Sequence, residues 1–404
     1  MSTAPSTLLT DLQRNSLSER LDVELEHLAA RIVEFRRHLH ASPELSLQET
    51  ATSAYVAQAL DAERIPYRFG SGKRGILVDL GLSGPAFRTG LRADCDALPI
   101  QEENMVSYAS QNAGVMHACG HDAHTAMLMG AIIALHRAGS TIPVRGIFQP
   151  AEETGDGALG MIQDGALDRV SSIIAIHVDP NLPCGQAAAV PGPQTATCQD
   201  FEITVKGRGG HAARPHLSID PVAISAALIT QIYQAIPRGI DSRKPVVISI
   251  CQIHAGHATN IIPETAMLGG TIRSLDAESA KVAKDTLEQI CAGIGAAYGA
   301  KIEAVFERGI PGVVNDPEVT STCAQAAQEI FGTQSVLTTG PTSLGAEDFA
   351  DYLQKIPGCM MRLGVKREGH GITPLHTPTF DIDEGALILG SKLLLRALLK
   401  LGKD

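Results

Sequence analysis

Two stretches of this sequence bring together side chains fit for metal chemistry. In Met116-His-Ala-Cys-Gly-His-Asp-Ala-His124, Cys119 and His121 set a thiolate and an imidazole two residues apart, with His117 and His124 beside them. Gly120 lies between them and tolerates backbone conformations that other residues avoid, so both side chains can face one point. Thiolate plus imidazole suits zinc and its borderline neighbours better than calcium or magnesium. The second stretch is Glu152-Glu153, adjacent carboxylates just beyond Val144-Arg-Gly-Ile-Phe-Gln149. That run predicts a short strand, and open α/β sheets place their ligands at the carboxyl ends of strands. Each stretch has a plain alternative: a buried Cys with hydrogen-bonded His near a helix start, and an exposed acidic turn.

Two more histidines extend the set. His177 closes the apolar run Ile173-Ile-Ala-Ile-His-Val178, and His376 sits between prolines in Pro374-Leu-His-Thr-Pro378. Taken singly, the first reads as a satisfied core residue and the second as a loop residue. Together Cys119, His121, Glu153, His177 and His376 are five candidate ligands of three types near predicted strand ends. That exceeds the need of one four-coordinate ion that must also bind water, and it suits two ions with a shared ligand and a bridging water. Zinc fits first, and manganese, cobalt and nickel accept the same donors.

These residues need elements to carry them. Leu21, Leu25, Leu28, Ile32, Phe35 and Leu39 have helical spacing over 21–40, and 49–60 predicts a second helix. Strands are expected at 75–80, 87–93 and 144–149, with a continuous apolar strand at 172–178 of the kind buried on both faces. Helices are expected after the His/Cys cluster (126–135) and at 155–163. Strands alternating with helices imply an α/β layer on a largely parallel sheet. From 199 the order becomes strand 201–205, helix 221–236, strands 246–253 and 266–275, helix 278–293 and strand 301–306. This β-α-β-β-α-β order is that of a ferredoxin-like sandwich. After Pro311 the first pattern resumes, so the expected division is 1–198 with 312–404, interrupted by an inserted α+β domain at 199–311.

Composition narrows the classes. At 404 residues the chain fits two domains or one with an insertion. A net charge of −11, no Trp and 4% aromatics argue against a nucleic-acid or acidic-membrane partner. The eight cysteines are scattered without CxxC pairs, as expected of reduced thiols in a cytoplasmic protein. The first twenty residues lack the apolar core of a signal peptide, and no apolar run reaches the ~18 residues of a membrane span.

The residues carry a resemblance as well. Phe35-Arg-Arg-His-Leu-His-Ala-Ser-Pro-Glu44, Leu91-Arg-Ala-Asp-Cys-Asp-Ala-Leu-Pro99, the 117–124 cluster, Gln149-Pro-Ala-Glu-Glu153, Gly207-Arg-Gly-Gly-His-Ala-Ala-Arg-Pro-His216, Ala258-Thr-Asn-Ile-Ile-Pro-Glu264 and Leu375-His-Thr-Pro378 follow one another in a known order. The chain resembles the metal-dependent aminoacylase/carboxypeptidase family, in its branch of hippurate, N-acyl-amino-acid and auxin-conjugate amidohydrolases. The resemblance implies a catalytic domain with a two-metal site and an inserted lid domain that also forms a homodimer interface. It makes the five residues above the metal ligands and Glu152 the general base, beside a water whose pKa a metal lowers. It implies that Asn260 and Arg273 grip a substrate α-carboxylate and that His211 donates to the oxyanion. Other branches have a bridging Asp where Cys119 stands and a His-x-Asp motif where this chain has Arg92-Ala-Asp94. His121 must then supply the missing imidazole, Asp94 is second to the ligands, and which ligand bridges stays open.

The expected activity is hydrolysis of N-acyl amino acids, or small dipeptide-like amides, to a carboxylate and a free amino acid. A carbamoyl- or acetyl-specific amidase is the nearest alternative, and an inactive metal-binding regulator comes from another class. Glu152 counts against the regulator, which needs ligands and no base. No GxSxG elbow supports a serine hydrolase.

Overall fold

The spaced apolar residues of the first helix start earlier than the sequence suggests. In a computed structural model, which describes residues 11–81 and 87–402, α1 runs over Asp11–Ala41. Leu17, Leu21, Leu25, Leu28, Ile32, Phe35 and Leu39 are all buried along one face. Each such side chain contributes about 1.5–3 kcal/mol on leaving water. Residues 1–10, half of the stretch read for a signal peptide, and most of the turn before 87 lie outside the described residues.

Cα packing divides the chain into two units, Met1–Gly192 with Val314–Pro341 and Asp348–Asp404, and Pro193–Val313 with Thr342–Glu347. The divisions thus fall at 192/193 and 313/314, where the sequence reading has 198/199 and 311/312, and 342–347 joins the second unit.

In the first unit α2 (Thr50–Ala62), β1 (Tyr67–Phe69), β2 (Ile76–Leu80), β3 (Arg88–Asp94), α3 (His121–Arg137), β4 (Val144–Gln149), α4 (Gly157–Gln163), β5 (Val170–Pro183) and β6 (Ala187–Ala188) follow α1. Among the described residues the sheet has eight strands in the order β1-β2-β4-β3-β5-β12-β6-β11, completed by β11 (Val336–Leu337) and β12 (Gly358–Lys366). Its centre, β4-β3-β5-β12, is parallel, while β1-β2, β2-β4 and β12-β6 pair antiparallel. α3 is buried almost throughout and packs with α1 and with α9 (Gly385–Leu401). No described helix is long and apolar enough to cross a membrane.

The second unit contains β7 (Thr197–Lys206), α5 (Pro221–Gly239), β8 (Val246–Ala255), β9 (Thr265–Ser274), α6 (Ala277–Tyr298) and β10 (Lys301–Phe306). Pro221 opens α5 and Asp220 caps it, accepting from the amides of Val222 and Ala223. The antiparallel sheet order β8-β9-β7-β10 with two helices is the ferredoxin-like arrangement that the element order predicts. Ile224, Leu228, Ile232, Ala283 and Leu287 of the two helices bury against Ile203, Val205 and Leu268. The first unit resumes with α7 (Pro317–Phe331) and α8 (Phe349–Leu353), between which β11 lies.

Candidate metal centre

The carboxyl ends of β3 and β4, the middle of β5, the start of α3 and the loop of His376 hold the chemistry. α3 begins at His121, not in the Ala-rich run after it, so His121 and His124 stand in its first turn. Gly120 precedes it at φ 87°, and a Cβ there would come within 2.5 Å of Val178 Cγ2. Only glycine fits both constraints. β5 continues to Pro183, so His177 lies within the strand and does not close it. Glu152 and Glu153 follow Ala151, which adopts φ 55°, and His376 adopts φ 59°. Backbone in that region is held by its surroundings and gathers at functional sites. The Ala151 amide donates to Glu49 Oε1 at 2.7 Å, and the His376 amide to the Ala118 carbonyl at 2.8 Å.

The structure brings the five candidate ligands and Glu152 together. Donor atoms of Cys119, His121 and His177 lie within 4.8 Å of one another, as do those of Cys119, Glu153 and His376, and those of His121, Glu152 and Glu153. Cys119 Sγ is 3.6 Å from His177 Nε2, Glu153 Oε1 is 3.5 Å from His376 Nε2, and His121 Nε2 is 3.9 Å from both Glu152 and Glu153. These gaps are long for hydrogen bonds. They are close to the ~3.4 Å between neighbouring donors around a tetrahedral ion with bonds of about 2.1 Å.

The imidazoles are set for such an ion. His121 Nδ1 faces the Asp96 carbonyl at 3.0 Å and its carboxylate at 3.1 Å. Nδ1–H donates there, which makes Nε2 the nitrogen turned inward, and Nε2 is buried without a hydrogen-bond partner. Glu153 Oε1 is buried in the same condition. His177 Nδ1 donates to the Val178 carbonyl at 2.8 Å, so Nε2 is the nitrogen that faces Cys119. His124 differs: its Nε2 accepts from the Val178 amide at 2.9 Å and its Nδ1–H donates to Asp94 at 2.6 Å, so neither nitrogen can coordinate. Orphaned inward donors at ligand spacing are what a bound cation would satisfy. Thiolate, imidazole and carboxylate fit a borderline divalent ion.

The local field favours positive charge. Burial would raise the Cys119 thiol, but His121 and His177 outweigh it and bring it down to about 6. Burial would lower His121, yet Asp94 and Cys119 hold it well above its ordinary value. Cys119 and Glu153 raise His376 to about 10. Burial brings His124 to about 4, leaving it neutral. Asp94, pushed up by burial but pulled down further by His121 and Arg92, stays ionised.

Sequence reasoning misses Asp96. It holds His121 Nδ1, accepts from the Glu153 amide at 3.0 Å and from Ser46 Oγ at 2.7 Å, and so ties two candidate ligands to one carboxylate. The available signal is the spacing of Asp94 and Asp96, two residues apart at a strand's carboxyl end. Asp94 itself reaches Arg92 at 2.6 Å, and Arg92 reaches Gln149 and Asp348.

The other predicted residues belong to the second unit. His211 and Asn260 are neighbours there: His211 pairs with Ile261 in a two-residue ladder, and the Ala212 amide donates to the Asn260 carbonyl at 3.1 Å. Both are exposed. His211 Nδ1 accepts from the Ala213 amide at 3.1 Å, which puts the ring proton on Nε2. Arg273 lies on β9, away from that ladder, and its Nη1 donates to the Leu344 carbonyl at 2.9 Å. With Thr271, Cys251 and His254 it lines a cleft of about 330 Å³ on the sheet.

A model of the peptidase family M20/M25/M40 matches residues 90–400. Thermostable carboxypeptidase 2 of Saccharolobus solfataricus is 41% identical over 382 residues, 93% of this chain and 96% of that protein. An N-acetyl-L-cysteine deacetylase of Bacillus subtilis is 36% identical over 376 residues, 92% and 88% of the two chains. Among solved structures, a dinuclear metal binding peptidase of family M20 from Bacillus subtilis superposes with a TM-score of 0.80 at 33% identity, over 93% of this chain and 99% of that one.

Proposed function

The chain belongs to the peptidase family M20/M25/M40, and from that premise we propose that it is a di-metal amide hydrolase that releases a free amino acid from N-acyl amino acids. The observation that carries the reading is the set of inward donors in which Cys119 belongs to two groups, one with His121 and His177 and one with Glu153 and His376. Each group would hold one divalent ion, zinc first, with Cys119 shared. Bound there, such ions lower the pKa of a coordinated water and polarise a carbonyl.

The remaining steps fall to the chain's own residues. Glu152, buried beside Glu153 with its carboxylate 3.9 Å from His121, takes the proton of the attacking water and passes it to the leaving nitrogen. Asp96 keeps the His121 ring in the ligand tautomer. His211 carries its proton on Nε2 and donates it to the oxygen of the tetrahedral intermediate. Arg273 and Asn260 grip the substrate α-carboxylate, a task suited to a planar fork. Relatives named as a carboxypeptidase and as an N-acetyl-L-cysteine deacetylase support an amide of an amino acid as the substrate class.

The second unit acts as a lid and as the interface of a homodimer. Its edge strand β8 supports this, with Val247 and Ile253 exposed on a strand that pairs only with β9 among the described residues. None of the eight cysteines, all among the described residues, forms a disulfide, which supports a reducing, cytoplasmic setting. The 41% identity to a carboxypeptidase favours short peptides as a second substrate reading. One assay decides between them: amino-acid release from N-acetyl, N-benzoyl and N-lauroyl amino acids beside dipeptides. Higher kcat/KM on the acyl series is expected, and release from dipeptides alone contradicts the proposal.

A further inference from the structure

The ligands assigned to the two ions come from elements far apart in the sequence, and one buried side chain holds both elements. Arg36, on α1, is fully buried. Its Nε donates to Asp122 Oδ2 at 2.9 Å, its Nη2 to Asp381 Oδ1 at 2.8 Å and its Nη1 to Glu384 Oε1 at 3.2 Å. Asp122 is the residue after His121 in the first turn of α3. Asp381 stands at the end of the His376 loop, where its carbonyl accepts from Thr373 Oγ1 at 3.0 Å and its carboxylate accepts also from Arg367 at 2.6 Å and from the Tyr108 hydroxyl at 3.1 Å. The Tyr108 ring lies 4.8 Å from the Arg36 guanidinium. His40, further along α1, sets Nδ1 2.8 Å from the same Asp122 oxygen and Nε2 3.1 Å from Glu102.

Fold stability alone does not call for this arrangement. Desolvating several charges offsets much of their attraction, and packed neutral residues often replace a buried ion cluster without loss. What neutral residues lack is the guanidinium's rigid plane of donors, which fixes its carboxylate partners relative to one another.

We infer that Arg36 is a positioning residue for the metal centre. By holding Asp122 and Asp381 in one fork it sets the separation of His121 and His376, so that both reach ions sharing Cys119. The inference rests on the two-ion reading. Arg36 itself touches neither ion nor substrate.

The test compares the full-length parent with Arg36→Lys, which keeps the charge but loses the fork, and with Arg36→Met/Asp122→Asn/Asp381→Asn, which removes Arg36 together with the two Asp charges it holds and leaves His40 to Glu102. Glu384 keeps Arg37 as a partner in both, at 2.6 and 2.9 Å. Thermal midpoints of metal-free protein, zinc affinity by chelator competition, and kcat and KM are measured. The triple variant is expected to melt within a few degrees of the parent while binding zinc about 10–100-fold more weakly, as when a partner of a metal ligand is lost. Its kcat should fall with KM little changed, and Arg36→Lys should show the same weakening. Parent zinc affinity and kcat in whichever variant folds overturn the inference, because a purely structural Arg36 moves only the midpoint. Failure of both to fold overturns it as well, by making Arg36 a folding residue. Parent protein that takes up neither zinc nor manganese, cobalt or nickel overturns the hydrolase reading itself, a result obtained before any variant is compared.

Discussion

Glu152 and Glu153 are chemically identical neighbours, and only their surroundings divide the work between them. Glu153 meets Cys119 and His376 as well as His121, and Glu152 meets His121. Glu152→Gln should therefore retain its metal and lose roughly two to four decades in kcat, the range of general acid–base catalysis. Glu153→Gln should lose metal as well, and elemental analysis beside turnover separates the two. If the phenotypes are exchanged, the assignment of the pair is reversed. Arg273→Ala should weaken substrates with a free α-carboxylate by about 2–5 kcal/mol relative to the corresponding amides. Equal losses on both would leave Arg273 only its bond to Leu344. Side-chain type makes Cys119, His121, Glu153, His177 and His376 legible in the sequence as donors. Asp96 and Arg36 are not legible, because what they do depends on partners brought up by the fold from distant positions.

At the scale of elements, the strand and helix alternation and the β-α-β-β-α-β order are legible because hydrophobic period and turn residues encode them. The two-residue strands β6 and β11 are too short to leave a period. The start of α3 is hidden because polar His121, Asp122 and His124 interrupt the apolar pattern while being buried in the centre. Gly120 marks that start. Gly120→Ala combines a left-handed backbone with a clash on Val178, so it should lower stability by about 1–3 kcal/mol, read from denaturant midpoints. α1 contributes a pH dependence through His40. Burial would lower its pKa, but Asp122 and Glu102 overcome this and raise it to about 9, against the neighbouring Arg36 charge. A raised folded pKa gives stability that is complete below the ordinary value near 6.5 and is lost as pH climbs through 9. The loss is on the order of 3 kcal/mol. Thermal midpoints of metal-free protein should fall between pH 6.5 and 9, and His40→Gln should flatten that slope. An unchanged slope would remove His40 as its source.

For the whole molecule, we propose that a homodimer formed through the second units delivers His211 of one copy to the active site of the other. Mixing His211→Ala with Glu152→Gln, each inactive alone, should then return about half activity per mixed dimer, because one site unites a working Glu152 with a working His211. No recovery, with mixed dimers verified by size and mass, would place His211 within its own chain's chemistry. All of this depends on the pair of ions around Cys119, and a metal titration tests that most directly. Protein stripped of metal is titrated with Zn²⁺ while bound zinc and amino-acid release are followed together. The expected result is no hydrolysis at zero metal and a plateau at two zinc ions per chain, with Cys119→Ser failing to retain either ion tightly. Full activity in rigorously metal-free protein, or a Cys119→Ser variant that holds two ions like the parent, would contradict it.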